Sequence, residues 1–267
     1  MNRNGIALLL TLLCGCNHTL TRRGPIDPGL AAYILPDTIA LVGVNMDRLR
    51  VTPLYRKLAA QNRVPLMDQF RADDIHDVLI AGDAKNLLAI ARGSFPAKSG
   101  VFTMADPHTA LAGSDFAVKA ALAQAKSGGH GAPRDLMARA DAVPAGSQIW
   151  AVVIDWPGMD PATLQFLGNF ANLDRILRSV VGATLTVDAS TGMRAEFTGD
   201  CQTEGGAGSL ADSLRGLTSL ARVGVARKQP DLARALDGIQ VRQEGRVVRM
   251  NIDLTEDLAE KLADKIR

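Results

Sequence analysis

Strand-like apolar runs alternating with helix-like apolar stripes predict an α+β fold for this 267-residue chain. Three observations carry the prediction. The order strand, helix, hairpin, helix occurs twice along the sequence. In both halves two strand-like runs flank a short turn rich in Gly, Asp and Asn or Ser. The helix-like stripes keep their apolar residues on one side, which requires a sheet to pack against. The expected architecture is two similar halves, each an antiparallel sheet with helices packed on one face.

Residues 36–126 form the first half. Thr38-Ile-Ala-Leu-Val-Gly-Val44 is a buried-strand run, and Asp47-Arg-Leu49 leads into the helical stretch Leu54-Tyr-Arg-Lys-Leu58. Asp77-Val-Leu-Ile-Ala81 and Leu87-Leu-Ala-Ile-Ala91 flank Gly82-Asp-Ala-Lys-Asn86, so a hairpin follows the helix. Thr109-Ala-Leu-Ala112 is a further short strand, and Ser114 is the N-cap of a helix carrying Phe116, Val118, Ala121, Leu122 and Ala125. Ser127-Gly-Gly-His-Gly-Ala-Pro133 breaks the pattern with flexible glycines and a helix-incompatible proline, so residues 127–147 are expected to be a linker.

Residues 148–267 repeat the order. Ile149-Trp-Ala-Val-Val-Ile154 is a strand, Asp160-Pro161 starts a helix, and Leu164, Leu167, Phe170, Leu173, Leu177 and Val180 make its stripe. Thr184-Leu-Thr-Val187 and Arg194-Ala-Glu-Phe197 flank a turn. Leu210, Leu214, Leu217 and Ala221 then share one helix face. Gly238-Ile-Gln-Val-Arg242 precedes a Glu244-Gly245 turn. Val248, Met250, Ile252 and Leu254 alternate with Arg249, Asn251 and Asp253, a strand with one wet face. Thr255 caps a last helix with Leu258 and Leu262 inside. Ala112-Gly-Ser114 and Ala207-Gly-Ser209 open corresponding helices, which with the element order points to an internal duplication.

The N-terminus carries the functional information. Arg3 precedes the short apolar run Ile6-Ala-Leu-Leu-Leu-Thr-Leu-Leu13, too short for the roughly 20 apolar residues a membrane-spanning helix needs, so residues 1–15 read as a secretion signal. Leu13-Cys14-Gly15-Cys16 resembles the lipobox of bacterial lipoproteins, with an aliphatic residue three before the cysteine and a small residue just before it. The resemblance implies cleavage after Gly15 and lipidation of Cys16, and it covers the first 16 residues only. Cys14 then leaves with the signal and Cys16 carries lipid, so Cys201 is the one thiol of the mature chain and no intramolecular disulfide forms. Residues 16–35, polar and punctuated by proline, are expected to be a tether reaching roughly 60 Å at ~3.3 Å per residue. Asn17 is not the aspartate associated with inner-membrane retention in some lipoproteins, which leans towards the periplasmic face of the outer membrane.

Composition and motifs exclude several functions. With 47% apolar residues, the body is neither disordered nor collagen-like. A formal charge of +2 and 4% aromatic residues do not make a nucleic-acid surface. His18, His76, His108 and His130 lie in separate segments, and within Asp73-Asp-Ile-His-Asp77 an extended chain points Asp77 away from Asp74 and His76, so no metal is expected. Gly206-Ala-Gly-Ser-Leu-Ala211 matches a loosened dinucleotide fingerprint, but no strand runs into its first glycine, so no cofactor is expected. No Walker loop or nucleophile elbow occurs, and no catalytic residue is assigned.

Carbohydrate stacking has few flat rings to use: Tyr33, Tyr55, Trp150 and Trp156. Trp150 reads as core. In the turn Asp155-Trp-Pro-Gly158, the residues Asp155, Trp156 and Pro157 are the candidate contact for a protein partner. The expected function is a non-enzymatic, lipid-anchored cell-envelope protein that binds a protein partner or supports an envelope assembly. The alternative is a periplasmic carrier of a hydrophobic small molecule or lipid, held between helices and sheet.

Overall fold

A computed structural model describes residues 24–60, 74–83, 85–95, 102–129, 131–155, 179–225 and 229–264. The fold is α+β. Ten strands, β1 (Ala40–Asn45), β2 (Ile75–Gly82), β3 (Leu87–Gly93), β4 (Thr103–Asp106), β5 (Thr109–Gly113), β6 (Ile149–Ile154), β7 (Val180–Asp188), β8 (Met193–Cys201), β9 (Gln240–Glu244) and β10 (Val247–Leu254), form a single sheet. Its order is β4-β5-β3-β2-β1-β6-β7-β8-β10-β9, and its ladders are antiparallel. The sheets expected for the two halves are therefore continuous, joined where β1 pairs with β6 from Ala40 opposite Val153 to Val44 opposite Ile149.

Directly opposed residues of antiparallel strands point to the same side, so the register assigns every strand residue to a face. On one face Leu41 lies opposite Ala81 and Val152, Gly43 opposite Leu79 and Trp150, and Ile90 opposite Leu79 and Leu111. Three helices cover these residues: α1 (Pro28–Ala31), α4 (Asp115–Lys126) and α5 (Arg134–Asp141). They contribute Leu30, Ala117, Val118, Ala121, Leu136 and Ala140 to the largest apolar cluster of the described residues. Gly43 is required by this packing, because a Cβ there would collide with the Trp150 indole. Ser114 caps α4 as expected, its hydroxyl accepting from the Ala117 N–H.

The far half buries the other face. Along the same row as Leu41 and Val152 come Thr184, Thr198 and Arg249, while Val248, opposite Gly199, points the opposite way. Val248 packs with Val180 and Cys201 under α6 (Glu204–Val225), which inserts Ala207, Leu210 and Ala211. Leu254 packs with Ala235 of α7 (Pro230–Asp237) and Ala259 of α8 (Glu256–Ala263). Thr255 occupies the N-cap of α8 without a side-chain bond. Two short helices after β1, α2 (Met46–Leu49) and α3 (Pro53–Ala60), complete the described elements. The α3 residue Lys57 reaches Glu260 Oε2 at 3.1 Å and Asp264 Oδ2 at 3.0 Å, which ties the first half to the last helix.

Two boundaries differ from expectation. The segment expected to be tether up to residue 35 is docked from Gly24 onward: Ile26, Leu30, Tyr33 and Ile34 are buried, and Gln124 Nε2 donates to the carbonyls of Ala32 at 3.0 Å and Ile34 at 2.7 Å. Pro28 at the first helical turn and Asp27, which accepts from the Gly29 N–H, start α1. The expected linker 127–147 contains α5, held by Leu136 and Ala140, both fully buried. The expected helix 160–180 lies outside the described residues up to 178, and Val180, expected to close its apolar stripe, instead opens β7 opposite Cys201. At the sheet margins, β4 has four residues and a register irregularity against β5, while β9 exposes four of its five residues.

Candidate functional site

A spacious concavity among the described residues follows from the switch of buried face. Helix α5 covers β6 and β1, and beyond it, among the described residues, no helix packs into the same sheet face over β7, β8 and β10. Between the outer side of α5 and this open face runs a groove of about 500 Å³. Its floor is polar: Thr184 and Thr186 on β7, Thr198 and Glu196 opposite them on β8, and Arg249 opposite Thr198 on β10. Its wall is Asp135, Ala138, Arg139 and Ala142, residues three or four apart and so on one side of α5, followed by Pro144.

The two arginines are held differently. Arg139 makes a 2.6 Å ion pair with Asp200 and lies over Gly182, where any side chain would displace the guanidinium. It is fixed by a charged partner on β8 and a bare backbone seat on β7. Arg249 is shared at 3.5 Å with Glu196 and at 3.6 Å with Glu244, and a guanidinium nitrogen approaches the Thr198 hydroxyl at 3.4 Å. These are long contacts on a side chain 43% exposed, so Arg249 can change partners at little cost. The groove thus offers hydroxyls that both donate and accept, two carboxylates, one fixed cation and one adaptable cation.

Of the residues chosen from sequence, Cys16, Trp156 and Pro157 lie outside the described residues. Asp155 is exposed, has a positive φ of 49°, and donates its backbone N–H to the Val181 carbonyl at 3.1 Å. It stands at the end of β6 and does not line the groove. Val181, 40% exposed, is its neighbour there, and Leu87 and Phe116, 67% and 72% exposed, lie at the same end of the sheet. Cys201 is buried under α6, and burial pushes its thiol up, away from the reactive thiolate form. The sequence Gly206–Ala211 lies inside α6, not in a loop that could cradle a phosphate. His76 Nδ1 lies 3.0 Å from Asp47, and among the described residues no group of three or more His, Cys, Asp or Glu is placed to hold a metal ion. Also among these residues, no helix is long and apolar enough to cross a membrane.

No family model matches this chain, and no curated protein matches it either. One solved structure of TP0453 shares its fold. Crystal form III superposes with a TM-score of 0.50 at 11% identity, covering 90% of this chain and 98% of that one. Crystal form IV gives a TM-score of 0.47 at 13% identity over 90% and 96% of the two chains. At such identities the likeness concerns the fold alone.

Proposed function

We propose that this chain is a lipid-anchored cell-envelope protein, without enzymatic activity, that presents one end of its sheet to a protein partner. The observation that carries the reading is the opposition of two ends. The chain enters the body where β1 ends and β2 and β6 begin: Gly24 packs on Asp141 at the end of α5, and Pro25 and Ile26 lie beside Asn45 and Asp77. The opposite end, where β6 and β2 finish, carries the exposed apolar side chains Leu87, Phe116 and Val181 together with Asp155, the residue before Trp156 and Pro157. Leu87, Phe116 and Val181 are three of the exposed large apolar side chains of the described residues, and such side chains are the material of a contact surface.

With Cys16 lipidated and Gly24 docked, eight residue steps separate anchor from body, a reach of about 26 Å in place of the longer tether expected from sequence. The body then stands close to the bilayer with its apolar rim facing away. Asn17 after the lipidated cysteine supports the periplasmic face of the outer membrane. A hydrophobic cargo gains no support from the groove, whose floor is hydroxyl, carboxylate and guanidinium.

The anchor is tested with Cys16→Ser, which should move the protein from the membrane to the soluble fraction; continued sedimentation with membranes refutes it. The rim is tested by placing a photo-crosslinking residue at Phe116 and, as control, at the exposed Ser190 in the turn between β7 and β8. A discrete protein adduct from position 116 and none from 190 supports the reading. Equal adducts from both, or none from 116, removes the rim as the contact.

A further inference from the structure

We infer that the groove between α5 and the open sheet face is a binding site for a small neutral saccharide of one or two rings. The inference is independent of the partner-binding rim, which lies at the end of the sheet and shares no residue with the groove.

The chemistry of the two sides selects the ligand. The floor presents three threonine hydroxyls in register across two strands, flanked by Glu196 and Arg249. Neighbouring strands lie about 4.8 Å apart and same-face residues of one strand about 6.8 Å apart, so Thr184, Thr186, Thr198 and Glu196 form a rectangle of hydrogen-bonding groups the size of a pyranose ring and its substituents. A carboxylate accepts from hydroxyls, a guanidinium donates to hydroxyl or ring oxygens, and threonine does either. The wall facing this floor offers Ala138, Ala142 and Pro144, a smooth apolar patch for the C–H face of a ring. A ligand polar on one edge and hydrocarbon on one face matches both sides.

Charge narrows the class further. The lining holds two carboxylates, Asp135 and Glu196, and two guanidinium groups, Arg139 and Arg249, and these arginines also meet the carboxylates of Asp200 and Glu244, so the groove has no positive excess to attract an anion. An anion bound to Arg249 would lie beside the Glu196 and Glu244 carboxylates, whose like charge repels it. A lipid tail would leave the floor's polar groups unpaired. The volume of about 500 Å³ lies in the ordinary range of small-molecule sites. No aromatic ring lines the groove, so the wall supplies close contact without stacking, and the affinity expected is modest.

The test uses the full folded chain, isotopically labelled, titrated in separate experiments with N-acetylglucosamine, its β-1,4-linked disaccharide and maltose, and with inorganic phosphate, triglycine and decanoate for comparison. Saturable chemical-shift changes at groove residues with at least one saccharide are expected. Ala142→Leu, which fills the groove from its exposed wall, should weaken this binding about tenfold or more. Thr198→Val, which keeps the shape and removes a hydroxyl, should weaken it several-fold with the melting temperature of each variant unchanged. The inference is overturned by the absence of saturable shifts with every saccharide, by saccharide binding that both variants leave intact, or by saturation with phosphate, triglycine or decanoate alone.

Discussion

Strands β1–β5 and strands β7–β10 belong to one sheet yet bury opposite faces. Beneath α1, α4 and α5 the near strands carry Leu41, Leu79, Ile90 and Leu111, each at most 2% exposed, and their other face is apolar too, with Val42 and Val44 on β1 and Val78 and Ile80 on β2. The far strands alternate strictly: Val248, Met250, Ile252 and Leu254 turn to α6, α7 and α8, while Arg249, Asn251 and Asp253 face water. The difference teaches that side-chain alternation, not chain connectivity, decides where a helix docks on a continuous sheet. It also explains the groove, which is the place where, among the described residues, helix cover on one face stops and a polar face begins.

The strongest way to break the comparison is to cut into each core and ask whether they unfold together. Ile90→Ala should cost about 2–5 kcal/mol, and Leu210→Ala should fall near the lower end of that range, because its smaller cluster has fewer neighbours to leave stranded. In urea both variants should shift one shared transition without changing its slope. Two separate transitions would show that the continuous sheet does not couple its halves. A gentler probe is Gly43→Ala, where the added methyl meets the Trp150 indole at the centre of the near core; overpacking there should cost about 1–3 kcal/mol, read from the same urea midpoint.

Acid sharpens the contrast at the hairpin turns. The hydroxyl and backbone N–H of Ser190, with help from Gln148, hold the Asp188 carboxyl below its ordinary range against the opposing effect of burial. At Asp83 burial raises the carboxyl, but the backbone N–H groups of Lys85 and Asn86 outweigh it, and the net direction is again downward. A depressed carboxyl lends stability that is complete above the unfolded-state value and fades as pH falls through the lower folded value. Stability should therefore decline below roughly pH 4, and Asp188→Asn should flatten that decline, as followed by melting temperature against pH. The smallest effect belongs to Lys57→Ala. Its bonds to Asp264 and Glu260 hold the ammonium above its usual range, but all three side chains keep contact with solvent, so a thermal melt near neutral pH should move little.

Much of the fold was legible because its signals are local. Apolar runs marked β1, β2, β3 and β6, Ser114 marked the start of α4, and the alternation from Val248 to Leu254 marked β10 with its wet face. Helices α1 and α5 escaped because each is short and sits among prolines and polar residues; α5 buries only Leu136 and Ala140, too few to set up a visible stripe. The docked segment at residues 24–35 looked like a tether for the same reason, although Leu30 and Ile34 hold it in the core. The groove was invisible because its parts are scattered from Asp135 to Arg249 and none is unusual alone. The signal that could have found it was the polar parity of Thr184 and Thr186 with Arg249, which places hydroxyls and charge on a face that β6 fills with Trp150 and Val152.

A sheet of ten strands has two margins where backbone donors and acceptors point outward. Here one margin is a four-residue strand with an uneven fit to its neighbour, and the other is Gln240-Val-Arg-Gln-Glu244, bristling with long polar side chains. Neither offers a flat, sticky template for copying the ladder onto another molecule. Even at high local density, then, such molecules should stay discrete instead of zipping into ribbons.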